Sequence, residues 1–221
     1  MAVKNCTRNG CKDVFHAFLV KNATYDSSIE IPCLKKETRK PKKLIAFTKA
    51  MKNNDYDAWV HFFEDDVAFE RLWNKPNTYL PILKKFKGVI TPDFSVYRDM
   101  PLVMQYWNIY RSRAIGHWLQ ENGISVIPNI RFGDDRTFEV ACAGISKYGV
   151  IAIGSHGCIK LLNERNYFKI GLEYVVETLK PTTIVIYGTT PVEVFAHYKD
   201  TGIEILQFDS DFMQSRKAVG A

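Results

Sequence analysis

The sequence predicts an α/β protein: a mainly parallel sheet of about six strands with flanking helices. Two observations carry that prediction. Short runs rich in Ile and Val, "AWVHFF", "GVIT", "ISVIPNI", "GVIAIG", "TTIVIYG" and "IEILQFDS", are apolar at successive positions, as strands buried on both faces are. Stretches with helical spacing lie between them, and strand–helix–strand alternation implies right-handed crossovers that put the helices outside the sheet. Two architectures stay open, an open layered sheet or an incomplete β/α barrel. Six strands are too few for eightfold closure unless the first 55 residues supply more.

Taken in order, residues 1–55 read as an irregular basic N-terminal section packed on the body, and residues 56–221 as a single α/β domain. A chain of 221 residues, 46% hydrophobic, suits one good core better than two. After the strand "AWVHFF" comes a short helix, "DVAFERLWN", which Asp66 helps to start. The longest helix is "MPLVMQYWNIYRSRAIGHWLQENG", with Asp99 as N-cap, Pro101 in the first turn and Gly123 at the end. Val103, Tyr106, Trp107, Tyr110, Ala114 and Trp118 recur along it at helical spacing. "RTFEVACAGI", "NERNYFKIGLEYVVETLK" and "PVEVFAHYKDTG" are the later helices.

The net charge of +6 is unevenly spread: residues 1–50 hold 11 Lys+Arg against 4 Asp+Glu, and the other 171 hold 19 against 20. The excess centres on Lys35, Lys36, Arg39, Lys40, Lys42 and Lys43. Such a run either tracks nucleic-acid phosphates or is a solvated loop, with Pro41 blocking regular structure. No apolar run approaches the ~20 residues that span a membrane, and the N-terminus has no apolar signal core. Five scattered cysteines fit a reducing cytoplasm. Cys6, Cys11 and Cys33, with His16 nearby, offer a donor set for structural Zn²⁺, though not at a standard spacing.

In parallel α/β folds ligands bind outside the carboxyl ends of the strands, and chemistry-bearing residues follow each strand here. Glu64 and Asp65 follow the first and could hold Mg²⁺, although acids there also open a helix. Asp93, Ser95 and Arg98 follow the second; Asn129, Arg131, Asp134, Asp135 and Arg136 the third; Ser155, His156 and Lys160 the fourth; Tyr187, Thr189 and Thr190 the fifth. His61, inside a strand, reads as a core imidazole. Gly154 and Gly157 flank Ser155 and His156, so the backbone there can approach a ligand closely. "YGTTPVE" offers hydroxyls and amides at a helix start, without a P-loop's Gly-Lys-Ser/Thr ending. The expected pocket joins Asn129, Arg131 and Asp134 to Asp93 and His156. Arg131 would hold an anionic ligand with Arg136, Ser155, Lys160 and Thr189 near it, Asp134 would orient Arg131 or a metal, and His156 would move the proton.

From about Asn22 to Ser210 the chain resembles the domain of unknown function 4417 family. The resemblance rests on "VHFFEDD", "FKGVITPDFSVYRDMPLVMQYWNIYRSRAIGHWLQENGISVIPNIRFGDDRTFE", "IAIGSHGCIK" and "IVIYG". Phe132 stands where the family is expected to prefer Trp, and the Cys6–Cys11 region lies outside the match. The resemblance implies carriage on phages and other mobile elements, hence a host-cell cytoplasm, and assigns no reaction. Three functions then fit. One is an enzyme acting on a nucleotide or nucleic acid, with Mg²⁺ or acid–base groups. The second is a non-enzymatic binder of a host or defence protein, and the third a pocket that sequesters a nucleotide.

Overall fold

The computed structural model describes residues 12–155, 162–211 and 213. A two-stranded antiparallel piece, β1 (Tyr25–Asp26) and β2 (Ile31–Pro32), comes first. Seven parallel strands follow. They are β3 (Leu44–Ala46), β4 (Trp59–His61), β5 (Gly88–Ile90), β6 (Val126–Ile127), β7 (Val150–Gly154), β8 (Thr183–Tyr187) and β9 (Glu204–Phe208). The main helices are α1 (Phe47–Ala50), α2 (Asp66–Asn74), α3 (Pro76–Leu83), α4 (Leu102–Glu121), α5 (Asp135–Cys142), α6 (Leu162–Leu179) and α7 (Val192–Phe195).

Strands β3 to β6 form one ladder and β7 to β9 another, each in sequence order. A single parallel bridge, Asn129 to Ala152, joins them, with Ile130 N–H donating to Ala152 O at 2.8 Å and Ala152 N–H to Pro128 O at 2.9 Å. Residue parity shows what this sheet encloses. Trp59, Ile90, Ile127, Val150, Ala152 and Val185 meet in one inner cluster, with Leu44, Leu206 and Phe208 against it. Their neighbours Val60, Val89 and Val126 point instead into a core under the helices, as Ile151, Ile153, Ile184 and Ile186 do into a second. Period-2 alternation with both faces apolar is why these strands read as continuous apolar runs. The sheet therefore wraps around an inner core as an incomplete barrel. No ladder joins β9 to β3; the side-chain pairs Lys40–Glu204 and Lys49–Asp211 cross that seam.

Three expectations change. The parallel strands number seven because Leu44–Ala46, inside the N-terminal section, pairs with Trp59–His61, so the sheet begins before residue 55. The N-cap position of α4 is Pro101 with no side-chain cap, so Asp99 does not cap it. And α4 buries its polar side as well: Val103, Met104 and Trp107 in its first half are exposed, while Gln105, Asn108, Arg111, Ser112, Arg113 and His117 are buried beside Ile109, Ile115 and Leu119. The polar face turns inward because it hydrogen-bonds the loops at the carboxyl ends of β5 and β6, groups that a purely apolar helix would leave unpaired.

The basic segment lies at the other end. Val150 N–H, at the start of β7, donates to Glu37 O at 2.8 Å, so residues 35–43 run beneath the amino ends of the strands. Four of the six cations are paired there, Lys35 with Glu121, Arg39 with Glu37, Lys40 with Glu204 and Lys43 with Asp55.

Candidate functional site

The described residues that follow the parallel strands lie at one end, and two of these loops supply a buried polar group there. Strand β5 delivers Thr91, Pro92 and Asp93, and β6 delivers Asn129 and Arg131 on one side of the extended chain. Asn129 Nδ2 donates to Asp93 Oδ1 at 2.7 Å. Arg131 Nη1 lies 3.8 Å from Asp93 Oδ2, too long for a hydrogen bond and close enough for strong attraction. The side chain of Asp93 is 13% exposed. Burial pushes its carboxyl above the usual carboxylate range; Arg131 and Asn129 pull it down, and Asp66 adds to the rise. Burial and a neighbouring cation thus pull this carboxyl in opposite directions.

The surroundings over-determine its position. Ser95 N–H and Oγ–H donate to Asp66, and Asn108 Nδ2 donates to Ser95 O at 2.6 Å. Arg111 lies 3.9 Å over the Phe94 ring and bonds Glu70 and Asn108. Ser112 Oγ–H donates to Pro92 O at 2.7 Å. The fully buried Arg113 donates to Asn129 O at 3.0 Å and Ala141 O at 2.6 Å. The buried face of α4 is thus the support that holds the Asp93 and Asn129 loops together.

In front lies a cleft of about 770 Å³, lined by Arg98, Arg131, Phe132, Gly154, Glu164 and Tyr167 among others. Asp93 stands directly behind this wall. A Cβ on Gly154 would come 3.5 Å from Asp93 Oδ2 and 3.0 Å from the Phe63 ring, so the bare glycine keeps Asp93 next to the cleft. On the outer wall Arg98 is ion-paired with Glu164 and stacks 4.2 Å over Tyr167. Phe132 fills a notch at Gly171 of α6, where any Cβ would strike its ring.

Other expected residues fall elsewhere. Asp134 does not fold back toward Arg131: it caps α5, accepting from Arg136 N–H at 3.2 Å, and is paired with the Arg136 guanidinium, which holds its carboxyl below the usual range. That N-terminal amide was the stronger local claim on it. Arg136 also donates to Arg98 O. Ser155 Oγ–H turns inward to Thr189 O at 2.7 Å, tying two loops together, and the Thr189 side chain is exposed. His156, Lys160 and Cys158 lie outside the described residues.

Glu64 accepts from Thr48, and Asp65 occupies the N-cap position of α2 without a side-chain bond. His61 is a buried imidazole whose Nδ1 accepts from Phe63 N–H at 3.2 Å; burial brings it down to about 4. Cys6 and Cys11 also lie outside the described residues, Cys33 is a free thiol, and the His16 ring packs on Trp73 and Phe18. Among the described residues no group of three His, Cys, Asp or Glu could hold a metal ion, and no helix is long and apolar enough to cross a membrane. Burial pushes the Cys142 thiol up to about 12, which makes it inert. Glu164 and Tyr167 were not expected at the cleft. They sit on a helix more than 60 residues from Arg98 in sequence, and only the fold brings them there.

Residues 23–209 match the family described as Domain of unknown function (DUF4417), and the chain belongs to it. It is 34% identical over 166 residues to the Gene 1 protein of Mycobacterium phage D29, covering 73% of this chain and 61% of that protein. It is 34% identical over 171 residues to the Gene 1 protein of Mycobacterium phage L5, covering 75% of this chain and 74% of that one. The chain thus spans less than two thirds of the D29 relative. No solved structure matches it.

Proposed function

We propose that this DUF4417 protein is an enzyme that binds a phosphate-bearing small molecule in the cleft and moves a proton with Asp93. The observation that carries the reading is the buried Asp93–Asn129–Arg131 group placed immediately behind a cleft wall made partly of Arg131 itself. Arg131 and Arg98 supply planar, multidentate donors suited to phosphate oxygens. Asp93, with its proton affinity raised by burial, is closer to the working range of a general acid or base than an exposed aspartate is. Gly154 leaves the wall thin at that point. A stabilising network would not need a carboxyl kept costly by burial next to a cleft.

The test pairs turnover with binding. Wild type, Asp93→Asn and Arg131→Ala are incubated with phosphate monoesters, nucleotides and oligonucleotides, with and without Mg²⁺, and binding is followed by calorimetry. Wild type should turn over at least one of these compounds. Asp93→Asn should bind within a few-fold of wild type and lose about 10²–10⁴-fold in rate. Arg131→Ala should weaken binding by one to two orders of magnitude in protein that still folds, as loss of a charge-assisted contact predicts. Tight binding without turnover in the wild type would replace the enzyme by a sequestering pocket. No binding to any compound would reduce the trio to a structural network.

A further inference from the structure

The cleft does not end at Arg98. It continues past Arg98, Glu164 and Tyr167 into a second hollow of about 770 Å³, lined also by Leu162, Asn163, Asn166 and Ile170. We infer that this outer hollow is a nucleobase subsite, so that the ligand is a nucleoside phosphate with its anionic end toward Arg131. The inference rests on the reading of the inner cleft as an anion site.

Three features converge on that ligand. The first is a built platform. Arg98 lies 4.2 Å over the Tyr167 ring and is tethered by Glu164. Both Arg98 and Tyr167 line both hollows, and bases stack on guanidinium planes and on phenol rings alike. The second is hydrogen-bonding capacity beside the platform. Asn163, Asn166, Tyr167 and Ile170 recur at three- and four-residue spacing on α6 and so share one helix face. Both asparagines are exposed, and a side-chain amide presents a donor and an acceptor side by side, the geometry that reads a base edge. The third is apolar area with no cover among the described residues: Leu162 is 69% exposed and Ile170 56%. A flat group with an apolar face and a polar edge uses all three. Inorganic phosphate uses none of them and a sugar phosphate only the amides, and the two hollows share Arg98, Glu164 and Tyr167 as lining, which sets the flat group next to the anion.

Calorimetry with the full chain separates the two claims. The ligands are the four common nucleoside 5′-monophosphates, ribose 5-phosphate and inorganic phosphate, and the proteins are wild type, Tyr167→Ala, Tyr167→Phe, the double variant Asn163→Ala/Asn166→Ala, and Arg131→Ala. Wild type should bind at least one nucleotide about tenfold or more tighter than ribose 5-phosphate, the gain expected of one base stack. Tyr167→Ala should bring nucleotide affinity down to the ribose 5-phosphate level, and Tyr167→Phe should keep the preference. The double asparagine variant should level the differences among the four bases. Equal affinity of wild type for ribose 5-phosphate and every nucleotide, or a preference that survives Tyr167→Ala, would overturn the base subsite while the anion site stood. Failure of wild type to bind any of the phosphates would overturn both.

Discussion

The two ends of the barrel are both charged, and they use charge differently. Beneath the amino ends, Lys35, Arg39, Lys40 and Lys43 each meet a carboxylate, and the side chains of those four cations are all more than half exposed. The three pairs whose carboxylates are exposed as well are worth about 0–1 kcal/mol apiece, and Glu37 is the one covered acid among the four. At the carboxyl ends the central charges are buried: Arg113 is 1% exposed, and Asp93 and Arg131 are mostly covered. There Arg113 and Asp93 are held by specific hydrogen bonds, and water does little of the screening. Exposed pairing therefore marks the amino end and desolvation the carboxyl end, and it is desolvation that tunes chemistry.

The largest expected effect lies under the carboxyl end. Arg113→Ala removes donors from the Asn129, Ala141 and Ala143 carbonyls and leaves a cavity beneath the loops. It should cost about 2–5 kcal/mol in urea unfolding, from the buried carbonyls left unpaired and the cavity, with Arg113→Lys costing less. If Lys40→Ala at the amino end cost as much, the contrast between the ends would fail.

Next comes the acid response. Burial holds folded His61 at about 4 against a reference value of 6.5. The unfolded chain therefore takes up the proton first as pH falls. The stability that His61 contributes is complete above about 6.5 and lost progressively down to about 4, about 3 kcal/mol across the window. Asp93 acts in the opposite sense, because its raised folded value makes the folded state take up its proton first. Thermal melts from pH 7 to 4 should show the loss in wild type. His61→Asn, which keeps an acceptor for Phe63 N–H and cannot titrate, should have a flatter profile. An identical slope in both proteins would assign the acid response to other groups.

The smallest effect per group belongs to the basic segment. Replacing Lys35, Lys36, Arg39, Lys40, Lys42 and Lys43 together by Gln should change stability by no more than about 1 kcal/mol per lost pair, and less at 1 M salt than at 0.1 M. A larger loss, insensitive to salt, would show that the amino end is also held by desolvated charge and would erase the difference between the ends.

The strands and helices were legible because each is a local pattern. Ile and Val at successive positions mark doubly buried strands, and "DVAFERLWN" is helix α2 residue for residue. The edge strand Leu44–Ala46 was not, since three residues beside a lysine run carry too little periodicity. Helix α4 was placed correctly, but the burial of its polar residues Gln105, Asn108, Arg111 and Arg113 was not legible, because polar residues count as solvent-facing until their partners are known. The same limit applies at the site. Asp93, Asn129 and Arg131 come together as the strand-end rule predicts. Asp134 lies within the same stretch and was claimed by its own helix.

What the sequence by itself determined is six of the parallel strands, the helices between them and the edge at which chemistry-bearing residues gather, because alternation and strand–helix succession are properties of neighbours along the chain. What only the tertiary structure decided is which of those residues are desolvated, which are already partnered, and that Arg98 meets Glu164 and Tyr167 at the mouth of the cleft. Burial and pairing are set by groups distant in sequence, and the free energy of a charge depends on them far more than on its immediate neighbours.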